Sequence, residues 1–196
     1  CSNLASIKNM LKRVGSRAIV SKNIEDILSA DKLILPGVGA FDHAAKQLRK
    51  LLLCDVLNEK VLHQQIPILG ICLGAQLMTE SSEEGNCQGL GWLDFGTVAF
   101  DKSKLEASAR IPHMGWESLE ISSHSRLLNN FDETPRFYFL HSFHFELNHS
   151  KFFSAFADYG YRFPAAFEKD NIYGVQFHPE KSGLFGMNFM KNFVDL

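Results

Sequence analysis

Along the first half of the chain, short apolar runs alternate with stretches in which apolar residues recur every three or four positions. Leu4, Ile7, Leu11 and Val14 mark one helical face, and Gly15 follows as a C-terminal stop. Residues 18–20 predict a short strand and residues 24–28 a short helix. Residues 32–35 form a brief apolar run ended by Pro36-Gly37-Val38-Gly39, the pattern of a buried strand entering a tight loop. From Phe41 to about Gln65, Leu48, Leu51, Leu52, Val56 and Leu57 keep helical spacing over a length that suits two pieces. Residues 66–71 form a second buried strand and residues 73–79 a helix. Alternation of this kind predicts an α/β fold with a mostly parallel central sheet flanked by helices.

The second half changes character. Residues 90–100, 116–121, 136–147, 152–157, 165–168 and 172–177 are strand-like and rich in aromatics, an additional antiparallel β section. Glu168-Lys169-Asp170-Asn171 supplies a hairpin turn, residues 185–193 a last helix, and residues 81–89 a polar surface loop. Without a repeat, a low-complexity tract or a linker, residues 1–196 read as one domain.

Composition narrows the function classes. Hydrophobic residues are 45% and charged ones 21%, ordinary globular usage, and a net charge of -2 gives no footprint for nucleic acid or anionic lipid. No apolar run reaches membrane length and no signal-peptide pattern opens the chain, so a cytoplasmic protein is expected. Cysteines at 1, 54, 72 and 87 form no C-x-x-C pair, which predicts free thiols, no metal site and no cofactor. His141 and His144 make an H-x-x-H, but in one strand they would face opposite ways, against a metal pair. Asn148-His149-Ser150 fits a glycosylation sequon of a kind common by chance.

The chemistry gathers at Gly70-Ile71-Cys72-Leu73-Gly74. Strand, G-x-C-x-G, helix is the layout of a nucleophile elbow, in which strand and helix pass too closely for side chains at the glycines. A helix N-terminus beside Cys72 favours the thiolate. A small core hydrophobe is the plainer reading of a free cysteine, but it leaves the paired glycines unexplained. The nucleophile needs a base, and His178 emerges directly after the strand at 172–177. Glu180, two residues on in extended chain, lies on the same side and orients the imidazole. The Leu73 N–H supplies one oxyanion donor, and the loop Gly37-Val38-Gly39 a second.

These residues resemble the class I glutamine amidotransferases, the triad type of glutaminase domain with a flavodoxin-like sheet. Within that class the chain is similar to the glutaminase subunits of imidazole glycerol phosphate synthases. Residues 35–41, Pro112-His113-Met114-Gly115-Trp116, residues 138–143 and His178-Pro179-Glu180-Lys181-Ser182 carry this likeness over essentially the whole length. The resemblance implies glutamine hydrolysis through a Cys72 thioester, with the oxyanion on N–H groups near Leu73 and Val38. It implies glutamine held by Gly39, Gln76, Glu84, Ser142 and Phe143. It also implies ammonia passed to a (β/α)8 cyclase partner across Trp116, Tyr138 and Lys181.

The chain departs from the pattern in three places. Family members begin with a strand before Gly-Asn-Leu, whereas this sequence starts at Cys1-Ser2-Asn3-Leu4, so a first strand is expected to be missing from it. Phe143 stands where tyrosine is usual, and Glu117 follows Gly-Trp in place of asparagine. A paralogous glutaminase feeding another synthase, such as one aminating a nucleotide sugar for surface polysaccharide, shares the same triad. A catalytically silent scaffold is the reading from another class, and an intact Cys72, His178 and Glu180 argue against it.

Overall fold

The computed structural model describes residues 4–122, 124–147 and 151–196. The starting residues Cys1 to Asn3 and the sequon at 148–150 lie outside the described residues.

The centre is a six-stranded sheet in the order β1 (Leu33–Gly37), β2 (Ile68–Cys72), β10 (Ile172–Val175), β9 (Arg162–Lys169), β8 (Phe153–Asp158), β5 (Glu120–Ile121). β1, β2 and β10 run parallel, and β9, β8 and β5 extend the sheet antiparallel. Two further antiparallel ladders complete the β content. One pairs β3 (Thr97–Ala99) with β7 (Phe143–Phe145), the other β4 (His113–Ser118) with β6 (Arg136–His141). The register pairs Gly37 with Cys72 and Val175 with Ile71, so three parallel strands end side by side. Ligand sites of open α/β sheets form at that carboxyl edge.

Helices cover the sheet where the spacing predicts them. α1 (Leu4–Arg13) buries Ile7, Met10 and Leu11, and Gly15 follows it with φ +87°. α2 (Ile24–Leu28) carries an Asn23 cap, whose side chain accepts from the Glu25 N–H. The long stretch after Phe41 does break: α3 (Phe41–Lys50) stops, Leu52 turns left-handed, and α4 (Leu53–Asn58) runs into a π-helical turn at Glu59–His63. α6 (Gly183–Asp195) packs Phe189, Met190 and Phe193 into the core. Phenylalanine fills both faces of the sheet. Phe137 stacks on Phe177 at 4.1 Å, and across the sheet Phe95 meets Phe145 and Phe167 edge-on.

Predicted strands 116–121 and 136–147 each divide into two, β4 with β5 and β6 with β7, and three further elements are lost or shortened. Residues 18–20 are irregular, with Ile19 72% exposed. β1 is the outer strand, and among the described residues no strand lies beyond it to give that stretch a ladder. The helix after Cys72, α5 (Leu73–Gln76), is a single turn, because the chain then tightens to three-residue bonds, Met78 N–H to Ala75 O and Thr79 N–H to Gln76 O. Of residues 90–100 only β3 is strand; Leu90 and Trp92 instead donate to the Leu77 and Met78 carbonyls behind α5. The Asp170-Asn171 turn joins β9 to β10, with Asp170 at φ +53°. No helix among the described residues is long and apolar enough to cross a membrane.

Candidate active site

β2 and α5 meet at Cys72, whose backbone takes φ +54° and ψ −117°. For a non-glycine residue this is strained, and such strain persists only where the surroundings over-determine it. It turns the sulfur out at the carboxyl edge, with the residue 7% exposed. The sulfur donates toward the Leu140 carbonyl at 3.8 Å and receives the Gln176 side-chain N–H at 3.6 Å. One helical turn carries little aligned dipole, so α5 supplies less of the thiolate's stabilisation than a full helix would.

His178 leaves the end of β10 and is 3% exposed. Its backbone is locked to β6: its N–H donates to Tyr138 O at 2.8 Å, and Ser182 Oγ donates to its carbonyl at 2.7 Å. The same hydroxyl accepts the Tyr138 N–H at 3.0 Å. Glu180 Oε1 stands 2.9 Å from His178 Nδ1, both side chains buried. The reach comes differently from the expected extended chain. Pro179–Lys181 is a 3-10 turn, and Pro179 at its first position needs no N–H partner. A carboxylate against Nδ1 fixes the proton there and leaves Nε2 for the thiol. Burial pulls the imidazole pKa down, but the Cys72 hydrogen bond and Glu180 outweigh it and raise the group to about 9. Glu180 Oε2 is buried with no hydrogen-bond partner among the described residues.

The remaining predicted positions surround this row. Val38 and Gly39 follow Gly37, the end of β1 that packs against Leu73, with Val38 41% exposed and Gly39 at φ +101°. Glu84 Oε2 accepts the Phe41 N–H at 2.9 Å at the start of α3, next to that loop. Its own loop is tied to α3 again by Asp42, which accepts the Cys87 N–H at 2.8 Å. Gln76 turns inward, its Nε2 donating to Phe143 O and to Gln176 Oε1, both at 3.0 Å, which leaves its Oε1 to meet a ligand. Ser142 sits at the bend between β6 and β7, and Phe143 contributes the carbonyl that Gln76 and His141 share. Trp116, Tyr138 and Lys181 lie together at the surface, the two rings edge-on at 6.0 Å and the ammonium 5.2 Å over Tyr138. Neither of two surface clefts, about 570 Å³ beside Leu128 and about 340 Å³ beside Tyr173, contains a triad residue.

His141 and His144 do not face opposite ways. The bend at Ser142 breaks the strand between them, and both rings pack on Phe100, at 5.2 and 4.8 Å. Their nitrogens are engaged by the protein: His141 with Phe143 O and His113, His144 with Phe145 O and Tyr161. Burial first, and then neighbouring histidines, hold the His141 pKa well below its usual value. Cys54, Cys72 and Cys87 are free thiols.

The family model for "Glutamine amidotransferase class-I" matches residues 1–196. The chain belongs to the class I glutamine amidotransferases. Among curated relatives of this amidotransferase, "Imidazole glycerol phosphate synthase subunit HisH 2" of Methanococcus maripaludis is 48% identical, covering 98% of the chain and 94% of the relative. A protein of the same name from Pseudomonas aeruginosa is 46% identical over 99% of the chain and 95% of its own length. A crystal structure of a glutamine amidotransferase shares the fold at TM-score 0.73 and 21% identity, over 98% of this chain and 93% of that one. Two contributors to the amidotransferase's site had no role assigned from the sequence, Ser182 as the brace behind His178, although it stands in the motif that ends there, and Gln176 against the sulfur.

Proposed function

We propose that the chain is the glutaminase subunit of an imidazole glycerol phosphate synthase, which hydrolyses glutamine at Cys72 and passes the ammonia to a (β/α)8 cyclase partner. The chemistry rests on the buried row Glu180, His178, Cys72, with the sulfur on a left-handed residue between strand and helix. The relatives at 48% and 46% identity support the pathway. The Cys72 thiolate attacks the side-chain amide carbon, and the oxyanion is received by the N–H groups of Leu73 and Val38. His178 gives its proton to the amide nitrogen, the C–N bond breaks, and ammonia leaves a glutamyl thioester. Neutral His178 then takes a proton from water, the hydroxide attacks the thioester, and glutamate departs as the thiolate returns. Glu180 holds the imidazole throughout. Glu84 and Gln76 Oε1 attract the substrate ammonium, while Gly39, Ser142 and Phe143 line the bound glutamine.

Trp116, Tyr138 and Lys181 form the docking face for the partner. Tyr138 joins the two functions, because its backbone anchors His178. The test measures glutamate release by the purified chain alone and with the histidine-pathway cyclase and its nucleotide ligand. Low release alone and stimulation of about tenfold or more are expected, in the range of ordinary coupling energies. No stimulation by that cyclase, with stimulation by a nucleotide-sugar aminating synthase, selects the paralogue.

The pH dependence follows from the charge on His178. A pKa raised to about 9 keeps the proton on the imidazole through the neutral range and releases it above that value. Steady-state kinetics in the presence of the partner should therefore show kcat/KM falling about tenfold per unit above about pH 9. Glu180→Gln removes one source of the upward shift, so its alkaline limb should lie at lower pH. An unmoved limb in that variant would separate Glu180 from the proton balance of His178.

A further inference from the structure

The hydrolysis above uses Gln76 Oε1 at the substrate but does not explain the bond from Gln76 to Gln176 behind the nucleophile. Gln176, two residues before His178, is fully buried, and Gln76 closes α5 at 4% exposure. Their orientations are forced. The Phe143 carbonyl can only accept, so the Gln76 atom 3.0 Å from it is the amide nitrogen. That nitrogen also stands 3.0 Å from Gln176, and so must face its oxygen. The Gln176 NH₂ group is thereby left pointing at Cys72 Sγ, 3.6 Å away. Flipping either amide would set donor against donor or acceptor against acceptor. His141 Nδ1, 2.8 Å from the same Phe143 carbonyl, anchors the far end of the relay on the β6–β7 bend.

We propose that Gln176 is a catalytic residue that stabilises the Cys72 thiolate through its side-chain N–H, and that Gln76 is the positioning residue that holds it there. This rests on the assignment of Cys72 as nucleophile. An N–H fixed against a buried anion is a charge-assisted donor that needs no reorganisation when the charge forms. The need is specific to this elbow. α5 gives one turn of dipole, and the Leu140 carbonyl, which receives the thiol proton, repels the sulfur once that proton has gone. The ionisable groups facing the sulfur are few. His178 comes from beyond β10 with Glu180 behind it, and His141 of β6, kept neutral by burial, lies near His178 rather than against the sulfur. β1 and α5 carry no ionisable side chain between Leu33 and Gly37 or between Leu73 and Gln76.

The experiment measures the alkylation rate of Cys72 by iodoacetamide against pH in the purified full chain, with peptide mapping to separate it from Cys1, Cys54 and Cys87. Gln176→Glu places negative charge against the sulfur and should move the midpoint up by about one pH unit, tenfold in thiolate fraction. Gln176→Met is close in size, has no N–H, and should move it the same way by about half as much. Both should lower kcat about tenfold or less with glutamine KM within about twofold, since the lost interaction belongs to the thiolate rather than the bound substrate. Gln76→Met should reproduce the shift, and adding it to Gln176→Met should produce no further change, because the two act as one unit. Midpoints equal to the wild type in the Gln176 variants overturn the proposal; if the glutamate variant does not fold, the methionine variant decides alone. If wild-type Cys72 is not alkylated ahead of Cys54 and Cys87 at neutral pH, the nucleophile assignment itself fails, and that outcome is distinct from the first.

Discussion

Cys72→Ala is expected to lower glutamate release by about 10⁴-fold or more, since no step of the thioester route survives without the sulfur. The fold should persist. The change removes one atom from a buried residue at the edge of the core, and alanine leaves the backbone to be held in the same left-handed conformation by β2 and α5. A stability loss of about 1 kcal/mol, read from urea unfolding, is the expected scale for so small a truncation. Cys72→Ser keeps the shape and should be equally inactive, because the surrounding donors and His178 are matched to an anion that a hydroxyl forms far less readily. Synthesis from free ammonium salt in the complex with the cyclase separates chemistry from assembly. It should continue with the Cys72→Ala chain bound, while synthesis from glutamine stops. Glutamate release within tenfold of wild type in either variant would remove Cys72 from the mechanism.

Sequence reasoning reached furthest where a residue's placement depends on its near neighbours. The elbow follows from Gly70 and Gly74 flanking Cys72, and the meeting of Cys72 with His178 follows from parallel strands ending at one edge. Where placement depends on distant packing, the pattern fell short. The face of His144 relative to His141 is set by the bend at Ser142, which no periodicity marks. Glu180 reaches His178 through a turn initiated by Pro179, although the extended reading gave the same pair. Residues 18–20 have a strand's composition, but composition cannot supply a neighbouring edge. Gln176 and Ser182 stand within the stretch that signals the histidine, yet a buried amide or hydroxyl shows its role only once its partners, 104 and 44 residues away, are in place.

The glycines of the elbow carry the second large effect. A Cβ built on Gly74 would lie 1.7 Å from the Leu35 carbonyl oxygen and 2.6 Å from its carbon. A Cβ on Gly70 would lie 2.5 Å from Ala75 Cα and 2.7 Å from Ala75 N. These neighbours are backbone, so relief requires β1 or α5 to move as a whole rather than a side chain to rotate. Gly74→Ala should cost about 3 kcal/mol or more, at the upper end of overpacking effects and a large share of a typical domain's stability. Gly70→Ala should cost somewhat less, about 2 to 3 kcal/mol, because its third neighbour is the flexible end of Met78. Gly15→Ala is the internal control. It has φ +87° with nothing within 4 Å of the added carbon, so only the left-handed backbone strain remains, about 1 kcal/mol. The order Gly74, Gly70, Gly15 in urea unfolding is therefore fixed by geometry alone, and a Gly74→Ala chain within about 1 kcal/mol of wild type would contradict the close approach of β1 to α5. Activity should fall further than stability predicts in the molecules of Gly74→Ala that do fold. Leu35 belongs to the strand that ends in the Gly37-Val38-Gly39 loop, so pushing β1 away draws the second oxyanion donor off the reacting carbon while leaving Cys72, His178 and Glu180 in contact.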